Sequence, residues 1–257
     1  MSIKLQDIST SAPNSWDKKS TKKKTKTIIK EITFLQEKLY AQGKESLLVI
    51  FQGLDASGKD GATKKVLGKL NPQGVKVKSF KKPTKEELSH DFLWRVHQHA
   101  PEKGMIQVFN RSHYEDVLVT RVLGLTSDEE AQERFKHINA FEKLVEFNGT
   151  KILKFFLHVG KDKQKEKFLD RLEDPTKHWK YNPGDWETRA SWDKYNDYYH
   201  QVFENCNEPQ WHVIPADDNW YKEYLIASKI LEALKEINPE FPAMPKEWEG
   251  EKAKYFG

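Results

Sequence analysis

The passage from Leu47 to Gly61 narrows the possible folds more than any other part of the chain. Five apolar residues, Leu47-Leu48-Val49-Ile50-Phe51, run into Gly53-Leu54-Asp55-Ala56-Ser57-Gly58-Lys59-Asp60-Gly61 two positions on. An unbroken apolar run of that length suits a strand covered on both faces, which parallel sheets provide. A G-x-x-x-x-G-K core after such a strand and ahead of a helix is the Walker A pattern of a phosphate loop. Its glycines let the backbone curl, so that N–H groups along Ala56, Ser57, Gly58, Asp60 and Gly61 converge on one phosphate. Lys59 adds a mobile positive charge. Asp60 stands where Ser or Thr commonly ligates Mg2+, and a second carboxylate, Asp55, lies inside the loop. Asp55 is expected to take up metal binding, because a hard cation between phosphates favours carboxylate oxygen.

The remaining pattern alternates helix and strand. Ile28, Ile32, Leu35 and Leu39 mark a helix over 28–42, stopped at Gly43. Strands are expected at 47–51, 75–80, 105–109, 152–159 and 211–214. Thr84 and Glu87 form a capping box for a helix reaching about His99, and Ser127 with Glu130 opens another that ends near Gly149. Further helices are expected over 162–172 and around Tyr224, Ala227, Leu231 and Leu234. Five strands separated by helices predict an α/β fold, a doubly wound and mainly parallel five-stranded sheet, with ligands at the carboxyl ends of its strands. Nothing divides residues 28–257, which read as one domain. Residues 1–27 read as a basic, flexible arm.

Polar clusters gather where the strands end. The third strand delivers Asn110-Arg111-Ser112-His113-Tyr114-Glu115-Asp116, in which Arg111 is placed to neutralise a transferring phosphoryl group and Asn110 and Glu115 to meet the acceptor. Arg121 lies on the helix that follows. The second strand brings Lys78, Lys81 and Lys82 to the same end. Arg171, Lys177, His178, Lys180 and Arg189, threaded with Trp179, Tyr181 and Trp186, read as a cationic lid at about 171–192. The stripe Trp192, Tyr195, Tyr199 and Val202 reads as core, and His97 and His99 diverge on a helix and suit no metal.

Charge and composition exclude several other classes. The formal charge is +4, yet residues 1–30 hold eight lysines and two aspartates, leaving −2 for residues 31–257. The basic balance is therefore a property of the N-terminus, and nucleic acid is not the expected partner. With 8 Trp, 9 Tyr and 14 Phe the chain is too aromatic to be disordered throughout. No apolar run approaches the ~20 residues of a membrane span. Cys206 is the only cysteine and no secretory leader is evident, which fits a reducing cytoplasm.

Taken together, GLDASGKDG at 53–61, SFKKPT at 79–84, HDFLWR at 90–95, FNRSHYED at 109–116 and DRLEDPTKHWKYNPGDWETRASW at 170–192 resemble the polyphosphate kinase 2 family. The resemblance implies a thymidylate-kinase-like fold and phosphoryl transfer between inorganic polyphosphate and nucleoside mono- or diphosphates, with Mg2+. It also implies phosphate contacts from Asp55, Lys59, Arg111, Arg121 and Arg171. Many members carry Asp where this chain has Asn110, which shifts metal binding onto Asp55. Glu115 after Tyr114 resembles the class III subgroup, whose members accept monophosphates as well as diphosphates. An assembly of identical copies is expected. Two other readings remain open: an ATP-dependent nucleoside monophosphate kinase on the same fold, and a non-catalytic protein that binds RNA or another polyanion.

Overall fold

Every residue of β1 (Ser46–Gln52) is buried, as its apolar run requires. The computed structural model, which describes residues 3–256, pairs it on both sides. Its partners are β3 (Ile106–Asn110) and β4 (Thr150–His158), with β2 (Val75–Ser79) outside β3 and β5 (Trp211–Pro215) outside β4. The order is β2-β3-β1-β4-β5 and all four pairings are parallel.

Parallel neighbours need crossovers, and helices supply them. They include α1 (Lys18–Gln42), α2 (Lys59–Ala62, continued by a π-helical turn Thr63–Leu67), α3 (Lys85–Leu88), α4 (Trp94–His97), α5 (Val119–Val122) and α6 (Asp128–Phe147). Then come α7 (Lys161–Glu173), α8 (Gly184–Ala190), α9 (Trp192–Asn205) and α10 (Asn219–Ile237). Alternation along β4 sets the layers. Lys154 meets Glu142 of α6, and Phe156 packs 4.4 Å from Tyr199 of α9. Phe155 turns to the opposite face, beside Phe51 and His212, where α10 covers β4 and β5 and α1 packs on α10. After β1 the chain moves out to β2, whereas after β3 it crosses β1 to reach β4. The carboxyl ends of β1 and β3 therefore flank the crevice where such sheets take ligands.

Two expectations from the sequence need correction. α1 begins at Lys18, ten residues earlier than its apolar stripe indicates, with Asp17 accepting from Ser20 N as its cap. Thr21 and Thr25 continue the buried face. Each returns its hydroxyl to the carbonyl four residues back, Asp17 O at 2.7 Å and Thr21 O at 2.9 Å, so that polar residues serve as core. The segment before it is docked rather than free. Leu5 is buried, Thr10 Oγ1 donates to Asp217 Oδ2 at 2.6 Å, and the Trp16 ring lies 5.1 Å from both Tyr221 and Tyr224.

The helix expected from Thr84 to His99 is two short ones. The capping box is present at α3, but Asp91 accepts from Leu93 N and restarts the chain. The restart lets Arg95 reach Asp116 at 3.1 Å and Lys81 O at 3.0 Å. His97 and His99 pack against Phe141 and Phe80.

Candidate active site

The loop after β1 needs backbone shapes that few residues supply. Gly53 has φ +140°, and a Cβ there would sit 2.7 Å from Leu157 O. Ala56 adopts φ +59°, a left-handed conformation that costs a non-glycine residue about 1–2 kcal/mol. The surroundings hold these shapes by gripping each carbonyl from residue 53 to 57. Lys59 Nζ donates to Gly53 O at 2.6 Å and Leu54 O at 3.2 Å, and Gln164 Nε2 to Asp55 O at 2.9 Å. Lys167 Nζ donates to Ala56 O and Lys222 Nζ to Ser57 O, both at 3.1 Å. Because peptides are planar and trans, each carbonyl held outward turns the next N–H the other way.

Two of these lysines are shifted by their surroundings. Lys59 is pushed down to about 8, first by burial and then by the charge of Arg111. Lys222 is pushed down to about 7 by burial, with Lys167 adding to the effect.

The segment after β3 faces this loop. Arg111 takes φ +63° and pairs with Asp55 Oδ1 at 2.5 Å, and Asn110 Nδ2 donates to Asp60 Oδ1. Glu115 is partly buried close to Arg111. Burial raises its pKa, and the charges of Arg111 and Lys59 oppose that rise. Tyr199 ties loop and segment together: its hydroxyl accepts from Gly53 N and donates to Gln52 Oε1, while Gln52 Nε2 donates to Ser112 Oγ. Beneath the turn His113–Val117, fully buried Lys154 donates to Glu142 Oε2 at 2.7 Å and Tyr114 Oη at 3.0 Å. An ion pair removed from water in this way holds only when its remaining bonds are met, and these are.

Two cavities open from these elements. The larger, about 730 Å³, contains the loop with Lys59, Asp60, Lys65, Lys81, Asn110, Lys167, Arg171, Lys177, Trp179 and Lys180. The smaller, about 380 Å³, is walled by Leu118, Val119, Val122 and Leu123 on one side and by Glu115, Thr188, Tyr195 and Tyr199 on the other. Both are lined by Asp55, Arg111, Asn182 and Asp185, so they meet at the Asp55–Arg111 pair.

Most residues singled out from the sequence lie here, but four need a different description. Arg121 turns away to Asp128 at 2.6 Å and Gln201 at 2.9 Å, with its guanidinium 3.8 Å from the Tyr198 ring centre. Arg189 is bound to Lys161 O and Gln164 Oε1 instead of facing either cavity. Lys82 is exposed and lines neither. Lys177 borders the larger cavity with its charge matched by Asp170 and Asp174, at 2.8 and 2.9 Å.

Other residues were passed over in the sequence although signals existed. Gln164 and Lys167 stand at i and i+3 ahead of Arg171 at i+7, a residue already singled out, so the three share one face of a helix. Lys222 stands in line with Ile226 and Ile230, a lysine within an apolar stripe. Asp185, which accepts from Arg171 at 2.6 Å and anchors α8 to α7, carried no sequence signal of its own.

Among the described residues no three His, Cys, Asp or Glu side chains are grouped to enclose a metal. Asp55 offers carboxylate oxygen where the cavities join, which suits a cation whose remaining ligands are phosphates and water. No described helix is long and apolar enough to cross a membrane.

Residues 15–242 match the family model for polyphosphate kinase 2. The AMP/ADP-polyphosphate phosphotransferase of Meiothermus ruber is 46% identical over 210 residues, covering 81% of this chain and 79% of that protein. The ADP-polyphosphate phosphotransferase of Rhodopseudomonas palustris is 39% identical, with 84% and 80% covered. In structure, polyphosphate kinase 2 from Arthrobacter aurescens superposes with a TM-score of 0.95 at 38% identity, covering 99% of this chain and 93% of that one.

Proposed function

Because the chain belongs to the polyphosphate kinase 2 family, we propose that it moves a terminal phosphoryl group between inorganic polyphosphate in the larger cavity and a nucleoside mono- or diphosphate in the smaller one. The observation that carries this reading is the junction of the two cavities at Asp55 and Arg111. A terminal phosphate oxygen of the nucleotide attacks the last phosphorus of the chain. The bridging P–O bond breaks, and the chain leaves one unit shorter with the electron pair of that bond on its new terminal oxygen. In reverse, the same site lengthens the chain.

Each cavity suits its substrate. Polyphosphate has no base to recognise, so its grip must come from spaced cations, and Lys65, Lys81, Lys167, Arg171 and Lys180 line the larger cavity in that manner. The smaller cavity has an aliphatic wall at Leu118, Val119, Val122 and Leu123. That wall suits a base or ribose. Glu115 and Arg111 beyond it suit the acceptor phosphates, with a monophosphate accepted as in the Meiothermus relative.

The side chains position and neutralise. Loop N–H groups and Lys59 cradle the terminal phosphates, and Arg111 meets the equatorial oxygens as charge redistributes. Asp55 and the phosphates would hold Mg2+, which screens the repulsion between the two anions. The deciding experiment supplies purified protein, Mg2+, polyphosphate and AMP or ADP, without ATP. ADP or ATP is expected by chromatography. Phosphorylation of AMP only when ATP is supplied would replace this reading with that of an ordinary nucleotide kinase.

A further inference from the structure

Several surface lysines are paired with carboxylates, such as Lys76 with Glu102, Lys151 with Glu236, Lys229 with Glu232 and Lys235 with Glu31. The first three turns of α1 behave differently. Lys18, Lys22 and Lys26 are exposed, follow at i, i+4, i+8, and form one stripe beside the buried Thr21 and Thr25. Among the described residues no ion pair holds any of the three. The stripe also has a direction. Trp16, two residues ahead of α1, packs 5.1 Å from Tyr221 and Tyr224 of α10, and Glu223 between them lines the larger cavity together with Lys65. The start of α1 thus lies beside the turn of α10 that borders the larger cavity, the charge of Lys22 acts on Glu223 there, and Lys18 and Lys26 lie on the same face of the helix.

We infer that the Lys18–Lys22–Lys26 stripe of α1, continued by Lys65, is a second binding segment of the donor site, holding the part of a long polyphosphate chain that projects from the larger cavity. The inference rests on the proposed donor. A chain too short to leave the cavity cannot touch this stripe, whereas a long one gains several cationic contacts and a raised local concentration of phosphate. Unpaired ammonium groups at helical spacing suit a flexible polyanion, since the chain adapts to them without any group being desolvated. Continuity with a cavity that contains the phosphate loop favours polyphosphate over RNA, whose bases would need a free aromatic face, and the ring beside this stripe, Trp16, is already packed on Tyr221 and Tyr224.

The test compares wild type with the Lys18/Lys22/Lys26 triple variants to Ala and to Glu, using a short oligophosphate fraction and a long-chain polyphosphate fraction with ADP and Mg2+. All three positions are exposed, so folding should survive, and circular dichroism of both variants checks it. KM for the long chain is expected to rise about tenfold in the Ala variant, and further in the Glu variant, with kcat and the short-chain KM unchanged. The difference should shrink at high salt, because screening acts on exposed charges. Equal KM changes for both donors, or none, would overturn the inference while leaving the proposed reaction intact. Loss of binding to an RNA oligomer without any change in long-chain KM would assign the stripe to nucleic acid. A wild-type protein that uses neither donor would overturn reaction and inference together.

Discussion

At the residue scale the site depends on charges kept where water is scarce. Lys59 sits at about 8 in the unliganded protein because burial and Arg111 oppose its charge. A phosphate needs the ammonium form, so kcat/KM for polyphosphate should be level below about 8 and fall roughly tenfold per unit above it, read from a pH profile with long-chain donor. Stability runs the other way in that window. Unfolding returns Lys59 to its ordinary 10.5, so between about 8 and 10.5 the unfolded chain binds more protons and the fold gains stability as pH rises. The gain of wild type over Lys59→Met in thermal scans isolates this contribution. For catalysis, Asp55→Asn and Lys59→Ala should each lower kcat by about 10²–10³, the usual loss when one preorganised charge is removed, with the circular dichroism spectrum retained. A variant keeping a third of wild-type turnover would contradict the assigned role.

The elements decide which charges are free to meet substrate. From the end of α7 through α8, the sequence shows five basic residues as equals, but Lys177 is neutralised by Asp170 and Asp174 and Arg171 is matched by Asp185. Lys180 lies 5.0 Å from the Trp179 ring centre, and among the described residues no carboxylate pairs with it. Lys180→Ala should therefore raise the polyphosphate KM about tenfold, as for loss of one charge-assisted hydrogen bond of about 1.5 kcal/mol, and Lys177→Ala by less. Steady-state kinetics with ADP fixed and polyphosphate varied separates them, and equal effects would mean that the Asp170–Asp174 clasp opens on binding. The break between α3 and α4 follows a similar logic. Asp91 interrupts a helix that propensity would continue, and Arg95 thereby reaches Asp116 and Lys81 O beside the cleft.

At the scale of the whole molecule, the N-terminal segment is a clamp across the far end of the chain. Leu5 is buried, Trp16 packs on α10, and Thr10 fixes Asp217, whose other oxygen accepts from Gly160 N at the start of α7. Deleting residues 1–17 should cost roughly 3 kcal/mol in urea unfolding, the scale of burying one or two large apolar side chains. An unchanged midpoint would mean that these contacts contribute nothing net. This clamp was not legible in the sequence, because Thr10, Thr21 and Thr25 look polar to any periodicity, and the partner of Thr10, Asp217, like the helix α10 against which α1 packs, lies about two hundred residues away along the chain. What the sequence did determine by itself was local: the apolar run that makes β1 a buried strand, the glycines that shape the loop after it, the caps that open α3 and α6, and the polar cluster after β3. Those features follow from backbone sterics and from spacing within a few residues, which a linear text records. The tertiary structure alone decided which cations stay unpaired, why Arg121 and Arg189 turn away from the cleft while Lys167 and Lys222 turn toward it, and that two cavities join at Asp55 and Arg111. Burial and electrostatic pairing depend on what approaches from distant parts of the chain, and only the folded molecule brings those parts together.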